Sequence, residues 1–203
     1  MVVIEIFADV GCPFTHVGLR RFVDRRNELG RHDVTLRVRA WPLEIVNGKP
    51  LDPHFIAEEI DDIRDQVAPE LFSGFAEGTF PASSLPALTL AAAAYDKDLE
   101  TGERVSLALR DLLFEQGIDI ADTQVLTRIA SAQGVPVDLA DTRRVLDDHA
   151  EGRSRGVIGS PHFFTPAGGF FCPSLDVRRD AGGNLRITAD TAAFDQFMAT
   201  CFR

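Results

Sequence analysis

The stretch from Ile4 to Phe22 places the strictest demand on how this chain can fold. It opens as an apolar run with β-branched residues, the pattern of a buried strand. Gly11-Cys12-Pro13 breaks that run, and Val17, Leu19, Phe22 and Val23 then recur at helical spacing. Pro13 suits the first turn of a helix, where a missing N–H removes no intrahelical bond. A strand that feeds a helix in this way sets Cys12 at the helix N-terminus. Unpaired amides and the helix macrodipole favour a thiolate there, so the expectation is a depressed Cys12 pKa.

Composition limits what this start can belong to. At 203 residues the chain is long enough for one large domain, or one domain with an insertion. Its 21 basic and 31 acidic residues leave a net charge of −10, which argues against a surface for phosphate backbones. Nucleic acid is therefore not an expected partner. No stretch approaches the ~20 apolar residues of a membrane span, and the N-terminus carries no basic leader. The chain is expected to be cytoplasmic, unless a signal peptide has been trimmed. Cys12, Cys172 and Cys201 are too few and too scattered for a disulfide framework, and no two have the spacing of zinc ligands. No metal is expected.

Val34 to Ala40 alternates apolar with polar and reads as a second strand, which completes a β-α-β unit with parallel strands. Trp41-Pro42-Leu43 ends it, and Asn47 to Pro50 is a loop. From Leu51 to about Gly152 the pattern is helical. Asp52 caps a helix with Phe55, Ile56, Ile60 and Ile63 on one face. Pro69 opens a short segment to Phe75, and Phe72 to Pro81 reads as a loop or hinge over a cleft. Ser83 or Ser84 caps Leu85 to Tyr95, Thr101 starts Val105 to Phe114, Asp122 caps a helix ending at Gly134, and Asp138 caps one ending at Gly152. Strand character resumes at Gly156 to Thr165. Pro166-Ala-Gly-Gly169 signals a hairpin whose return strand begins Phe170-Phe-Cys172. Asp176–Asp180 and Leu185–Thr188 form a second hairpin or extend the first. Asp190 or Thr191 caps a last helix with Phe194, Phe197, Met198 and Cys201 as its stripe.

This order, β-α-β, a helical block, then β-β-α, resembles a thioredoxin fold with an inserted all-α domain. Two motifs carry the resemblance. Asp9-Val-Gly-Cys-Pro-Phe-Thr15 stands where the DsbA-like branch of the thioredoxin superfamily has Cys-Pro-x-Cys. Gly156-Val-Ile-Gly-Ser-Pro-His-Phe-Phe164 is similar to that branch's Gly-Val-x-Gly-Val-cisPro-Thr-Phe. The Trp41-Pro42-Leu43 step also fits. The neighbours of that branch are cytoplasmic two-domain oxidoreductases, kappa-type glutathione transferases and 2-hydroxychromene-2-carboxylate isomerases. The implied fold class is α/β, with residues 1–50 and 153–203 as the two thioredoxin halves and 51–152 as the insertion.

The resemblance makes Cys12 the nucleophile that attacks a disulfide. The departure is Thr15, which stands where the second cysteine belongs, so the usual vicinal disulfide cannot form. Thr15 can still donate its hydroxyl to a Cys12 thiolate, and clearance would fall to a small thiol or to another cysteine. His16, one turn beyond Cys12, could stabilise a thiolate, act as a base, or simply be an exposed helical histidine. Asp9 would oppose the thiolate or relay its proton. Pro161 corresponds to the family's cis-proline, with Ser160, Pro13 and Phe14 as substrate contacts and His162 facing either side of the sheet. Cys172 is either a resolving thiol or a buried strand residue; Cys201 is structural. The implied reaction is thiol–disulfide exchange with a small-molecule thiol or a protein disulfide, with no bound cofactor and a glutathione-like thiol as co-substrate. The alternatives are a thiol-dependent transferase or isomerase, and a binding module whose redox site has decayed. A homodimer is left open.

Overall fold

The structure is a computed structural model and describes residues 1–202. Its first strand, β1 (Val2–Ala8), leads through α1 (Pro13–Glu28) to β2 (Val34–Ala40). β1 and β2 are parallel, with Ile4 opposite Leu36 and Ile6 opposite Val38. α2 (Leu43–Val46) is a single turn after Trp41-Pro42, which the sequence pattern does not reveal.

The helical block follows as α3 (Pro53–Gln66), α4 (Leu85–Lys97), α5 (Leu99–Phe114), α6 (Thr123–Gln133) and α7 (Arg143–Ser154). Caps set most of its boundaries. Asp52 accepts from His54 N at 3.0 Å and Asp122 accepts from Gln124 N at 2.7 Å. Three expectations need correction. α5 begins at Leu99, because Asp98 takes the Thr101 amide at 2.6 Å, and Thr101 is buried within the helix. Asp138 closes a turn onto Ala140 N, so α7 starts only at Arg143. No helix forms between Pro69 and Phe75; Phe72 adopts φ 65 and the segment is irregular. Phe55 also leaves the apolar face of α3 and lies exposed under the Arg179 guanidinium.

After α7 the chain returns to the sheet. β3 (His162–Thr165) runs antiparallel to β1 on the side away from β2, and β4 (Gly168–Phe171) pairs with β3. The order is thus β2-β1-β3-β4. β5 (Asp176–Arg179) and β6 (Leu185–Thr188) form a separate two-stranded hairpin. α8 (Thr191–Cys201), capped by Asp190, completes the fold. This is a thioredoxin fold with a helical insertion.

Alternation along the strands gives the sheet two different faces. On one, Ile4, Ile6, Leu36 and Phe163 pack with Leu19 and Phe22 of α1 and Phe197 and Met198 of α8. On the other, Phe7 meets Trp41, Val157 and Phe164. α7 comes so near this second face that a side chain at Gly152 would lie 2.8 Å from the Trp41 ring and 2.9 Å from Phe7.

The outer edge of β2 would expose unpaired amides and carbonyls. Side chains cover it instead. Glu103 takes the Leu36 amide at 2.7 Å, and Tyr95 Oη takes the Val38 amide at 3.0 Å while donating to Leu36 O at 3.0 Å. Asp148 takes the Ala40 amide, and Arg26 donates to Val34 O. α1, α4, α5 and α7 each send one side chain, which ties the insertion to the sheet.

Candidate active site

Ala8 ends β1, and the turn Asp9-Val10-Gly11 delivers Cys12 as the N-cap of α1 with Pro13 in its first turn. Cys12 has φ −83 and ψ 116, so its backbone is extended while its carbonyl accepts from His16 N at 3.2 Å. Across from it lies Ser160, joined to Pro161 by a cis peptide bond. Cys12 Sγ donates to Ser160 O at 3.3 Å. Thr15 Oγ1 lies 2.7 Å from Ser160 Oγ, which also accepts the Asp9 amide at 2.9 Å. The structure therefore brings Cys12, Thr15, Ser160 and Pro161 together from opposite ends of the chain.

The electrostatics at Cys12 differ from the sequence expectation. The thiol is 4 % exposed. Burial pushes its pKa up, while hydrogen bonds from Thr15 and Ser160 and the Thr15 amide pull it down and Glu59 adds a small upward push. Burial wins, and the thiol is protonated at rest. The helix N-terminus acts in the predicted direction but is outweighed by desolvation.

His16 is turned to other partners. Its Nε2 lies 2.7 Å from Glu115 Oε1, and its ring packs against Phe72 and Phe114. It is neither an exposed helical histidine nor paired with Cys12. Burial lowers its pKa, although Glu115 opposes that shift. Glu115 in turn accepts the Phe72 and Ser73 amides at 2.9 and 3.1 Å, which holds Phe72 in its left-handed conformation.

Asp9 forms the other wall. Its carboxylate accepts from Gly11 N at 2.7 Å, Leu43 N at 2.6 Å and Ser84 Oγ at 3.0 Å, and its carbonyl accepts from Arg110 Nη2 at 3.2 Å. It makes no bond to Cys12. Burial raises its pKa against all three donors and the Arg110 charge.

His162 faces away from α1, stacked on Phe164 at 4.9 Å. Cys172 lies just past β4, with its amide donating to Pro161 O at 3.0 Å. Cys201 is buried in α8. All three cysteines are free. A cavity of about 370 Å³ opens beside the site between Phe14, Ser160, Phe171, Cys172, Leu175 and Asp176. A larger cleft of about 660 Å³ lies elsewhere, between Arg26, His32, Thr35, Glu100 and Arg104, and contains none of the predicted site residues.

Residues 3–179 match the model of the DSBA-like thioredoxin domain. The chain belongs to that family. Among solved structures it is similar to the cytosolic disulfide reductase DsbM from Pseudomonas aeruginosa, at 15 % identity and a TM-score of 0.62, covering 98 % of this chain and 96 % of that one. The same protein with GSH matches at 14 % identity and a TM-score of 0.60, over 98 % and 96 % of the two chains. A 2-hydroxychromene-2-carboxylate isomerase matches at 14 % identity and a TM-score of 0.58, over 83 % of this chain and 88 % of that one. At these identities the likeness is one of fold. No curated protein matches in sequence. Among the described residues no helix is long and apolar enough to cross a membrane, and no cluster of His, Cys, Asp or Glu could hold a metal ion.

Around Cys12 in this DSBA-like chain, sequence reasoning missed Arg110, Glu115 and Ser84 as walls. Arg110 is 2 % exposed and donates to Ser106 O and Oγ at 2.8 Å. Burial lowers its pKa to about 10. A signal for it existed, since Ser106 and Arg110 fall four apart on the stripe defined by Val105, Leu109 and Leu113. Glu115 follows the last residue of α5 and has no such signal.

Proposed function

We propose that this protein is a thiol–disulfide oxidoreductase that works through a mixed disulfide on Cys12 with a low-molecular-weight thiol, in the cytoplasm. The observation that carries the reading is the thiol of an N-cap cysteine set 3.3 Å from the carbonyl of Ser160, the residue before Pro161. An extended or peptide-like thiol laid along Ser160 would present its sulfur to Cys12 and displace the resting hydrogen bond. Phe14 and the adjoining cavity offer it an apolar wall. The Cys12 thiolate attacks one sulfur of the incoming disulfide. A Cys12–S–S–R bond forms, the R–S–S–R′ bond breaks, and the Cys12 proton ends on the departing R′S⁻. Support for a glutathione-like substrate and a cytoplasmic setting comes from the DsbM structures.

A chain with Cys172 and Cys201 both replaced by serine isolates this step. Treated with glutathione disulfide and quenched in acid, it should gain one glutathione by intact mass, mapped to Cys12. No adduct would overturn the reading and leave a redox-inactive module on this fold.

The protonated resting thiol favours a second reading. A Cys12 that donates a hydrogen bond could hold and activate a bound thiol without becoming covalent, as a transferase or isomerase would require. Retained thiol-conjugating turnover in Cys12→Ser would select this reading, and its loss would select the covalent one.

A further inference from the structure

With Thr15 in place of the second cysteine, the mixed disulfide on Cys12 needs another thiol to clear it. Cys172 extends the β3–β4 ladder by one step. Its amide donates to Pro161 O, and the pair His162–Phe171 precedes it in register, so Cys172 stands opposite Pro161. Cross-strand partners share a face of the sheet. Phe163 and Phe170, two positions further along, pack with Phe22 and Phe197 on the α1 face. Pro161 and Cys172 therefore belong to that same face.

Contacts along α1 agree. A side chain at Gly18 would lie 3.5 Å from both Pro161 Cγ and Ser174 Oγ, so helix, proline and the segment after Cys172 converge at one point. Arg21 holds that segment, donating to Ser174 O at 2.9 Å and Val67 O at 3.0 Å. Cys172 has φ 44, and this left-handed residue turns the chain off the ladder and onto α1. Cys12 heads the same helix with its sulfur on Ser160, and the 370 Å³ cavity is lined by Ser160 and Cys172 together.

We infer that Cys172 is the resolving thiol of Cys12, closing a non-vicinal Cys12–Cys172 disulfide across Pro161; this rests on the reading of Cys12 as the nucleophile. Cys172 sulfur attacks the Cys12 sulfur of the mixed disulfide. The Cys12–S–S–R bond breaks, a Cys12–S–S–Cys172 bond forms, and the Cys172 proton leaves with the released thiol RSH. Two further molecules of a low-molecular-weight thiol would reduce the closed disulfide and be released as RSSR.

The electrostatics fit this order of events. Burial, and next any ionisation of Cys12, push the Cys172 thiol up to about 12, while the Leu175 amide and then Arg21 pull it down. In a disulfide Cys12 cannot ionise, so no charge on it opposes the Cys172 thiolate, while Arg21 remains to favour it. A thiolate of high pKa is also the stronger nucleophile once formed.

The test oxidises two chains with glutathione disulfide, one carrying Cys201→Ser alone and one carrying Cys201→Ser with Cys172→Ser. The first should end two hydrogens lighter than the reduced chain, with no adduct and with the Cys12 and Cys172 peptides cross-linked under non-reducing digestion. The second should stop with glutathione on Cys12. Equal adduct in both chains overturns the role of Cys172 and leaves the Cys12 reading standing. No adduct in the second and no cross-link in the first overturns the Cys12 reading itself. Should the double variant fail to fold, the cross-linked peptide in the first chain decides by its presence or absence.

Discussion

Two carboxylates bracket the first turn of α1 and respond to similar bonding in opposite ways. Asp9 accepts from two backbone amides and one hydroxyl and lies near a buried arginine; Glu115 accepts from two amides, a hydroxyl and His16. Asp9 is fully buried, and burial lifts its pKa above the ordinary carboxylate value in spite of its donors. At Glu115 burial also pushes upward, but the side chain keeps 18 % of its exposure, and His16 with the Phe72 and Ser73 amides brings the pKa down to about 2. Depth decides the sign, and the number of donors does not. Asp9 is a structural anchor that holds the strand-to-helix turn, the Leu43 amide and Ser84 in one place. Glu115 is an ionised clasp between α1, α5 and the Phe72 loop.

Removing each carboxylate should expose this difference most strongly. Asp9→Ala leaves two amides and a hydroxyl without a partner in a dry interior, and should cost ~3–5 kcal/mol by urea unfolding. Asp9→Asn retains an acceptor oxygen and should recover about half of that loss. Glu115→Ala frees groups that water can partly reach, and its expected cost is ~1–3 kcal/mol. Equal losses for the two alanine variants would break the comparison.

Next in size is the acid limb of the stability curve. Glu115 has a folded pKa of about 2 against an ordinary 4.5. Its contribution is therefore complete above about pH 4.5 and is lost as pH falls towards 2. Glu115→Gln should flatten wild-type stability over that window. Asp9 acts with the opposite sign, because a raised folded pKa makes ionisation costly as pH rises through it. His16, lowered by burial, adds a loss that begins as pH drops below its ordinary 6.5. Urea midpoints of the wild type and Glu115→Gln from pH 2 to 7 separate these contributions.

The sheet half of the molecule was open to reading in the sequence because its signals are local. Val34–Ala40 alternates, and Gly11-Cys12-Pro13 marks the strand-to-helix break; in the insertion only such local signals were equally plain, as where Asp52 and Asp122 cap α3 and α6. The pairing of Cys12 with Ser160 was legible only through the resemblance, since 148 residues separate them. The protonation of Cys12 was not legible at all. The helix N-terminus is written in the local sequence, whereas the burial that overrides it is assembled by residues from distant parts of the fold. The same holds for His16, whose i to i+4 relation to Cys12 is real but whose imidazole is drawn to Glu115, on α5's far end. Thr101 and Asp138 misled for a smaller reason, since Asp98 takes the cap of α5 three residues earlier and Asp138 closes a turn of its own ahead of α7.

Glu59 of α3 supplies the finest test, being a carboxylate held by burial without, among the described residues, the donors that Asp9 and Glu115 enjoy. Burial raises its pKa to about 7, Arg179 favours its ionisation and Asp62 opposes it. Its charge is one of the influences that push Cys12 up, and it ranks behind burial. Glu59→Gln should therefore lower the Cys12 pKa slightly and speed alkylation by iodoacetamide at pH 8 by about two- to threefold, the size of a weak interaction between separated charges. At pH 6, where Glu59 is already protonated in the wild type, the two chains should react alike. That crossover carries the information. A variant faster at both pH values would mean that glutamine has merely opened the site to the reagent, and one unchanged at both would mean that the charge of Glu59 does not reach the thiol. Only acceleration that appears as pH rises through 7 shows a carboxylate without hydrogen-bond donors adjusting the ionisation of Cys12.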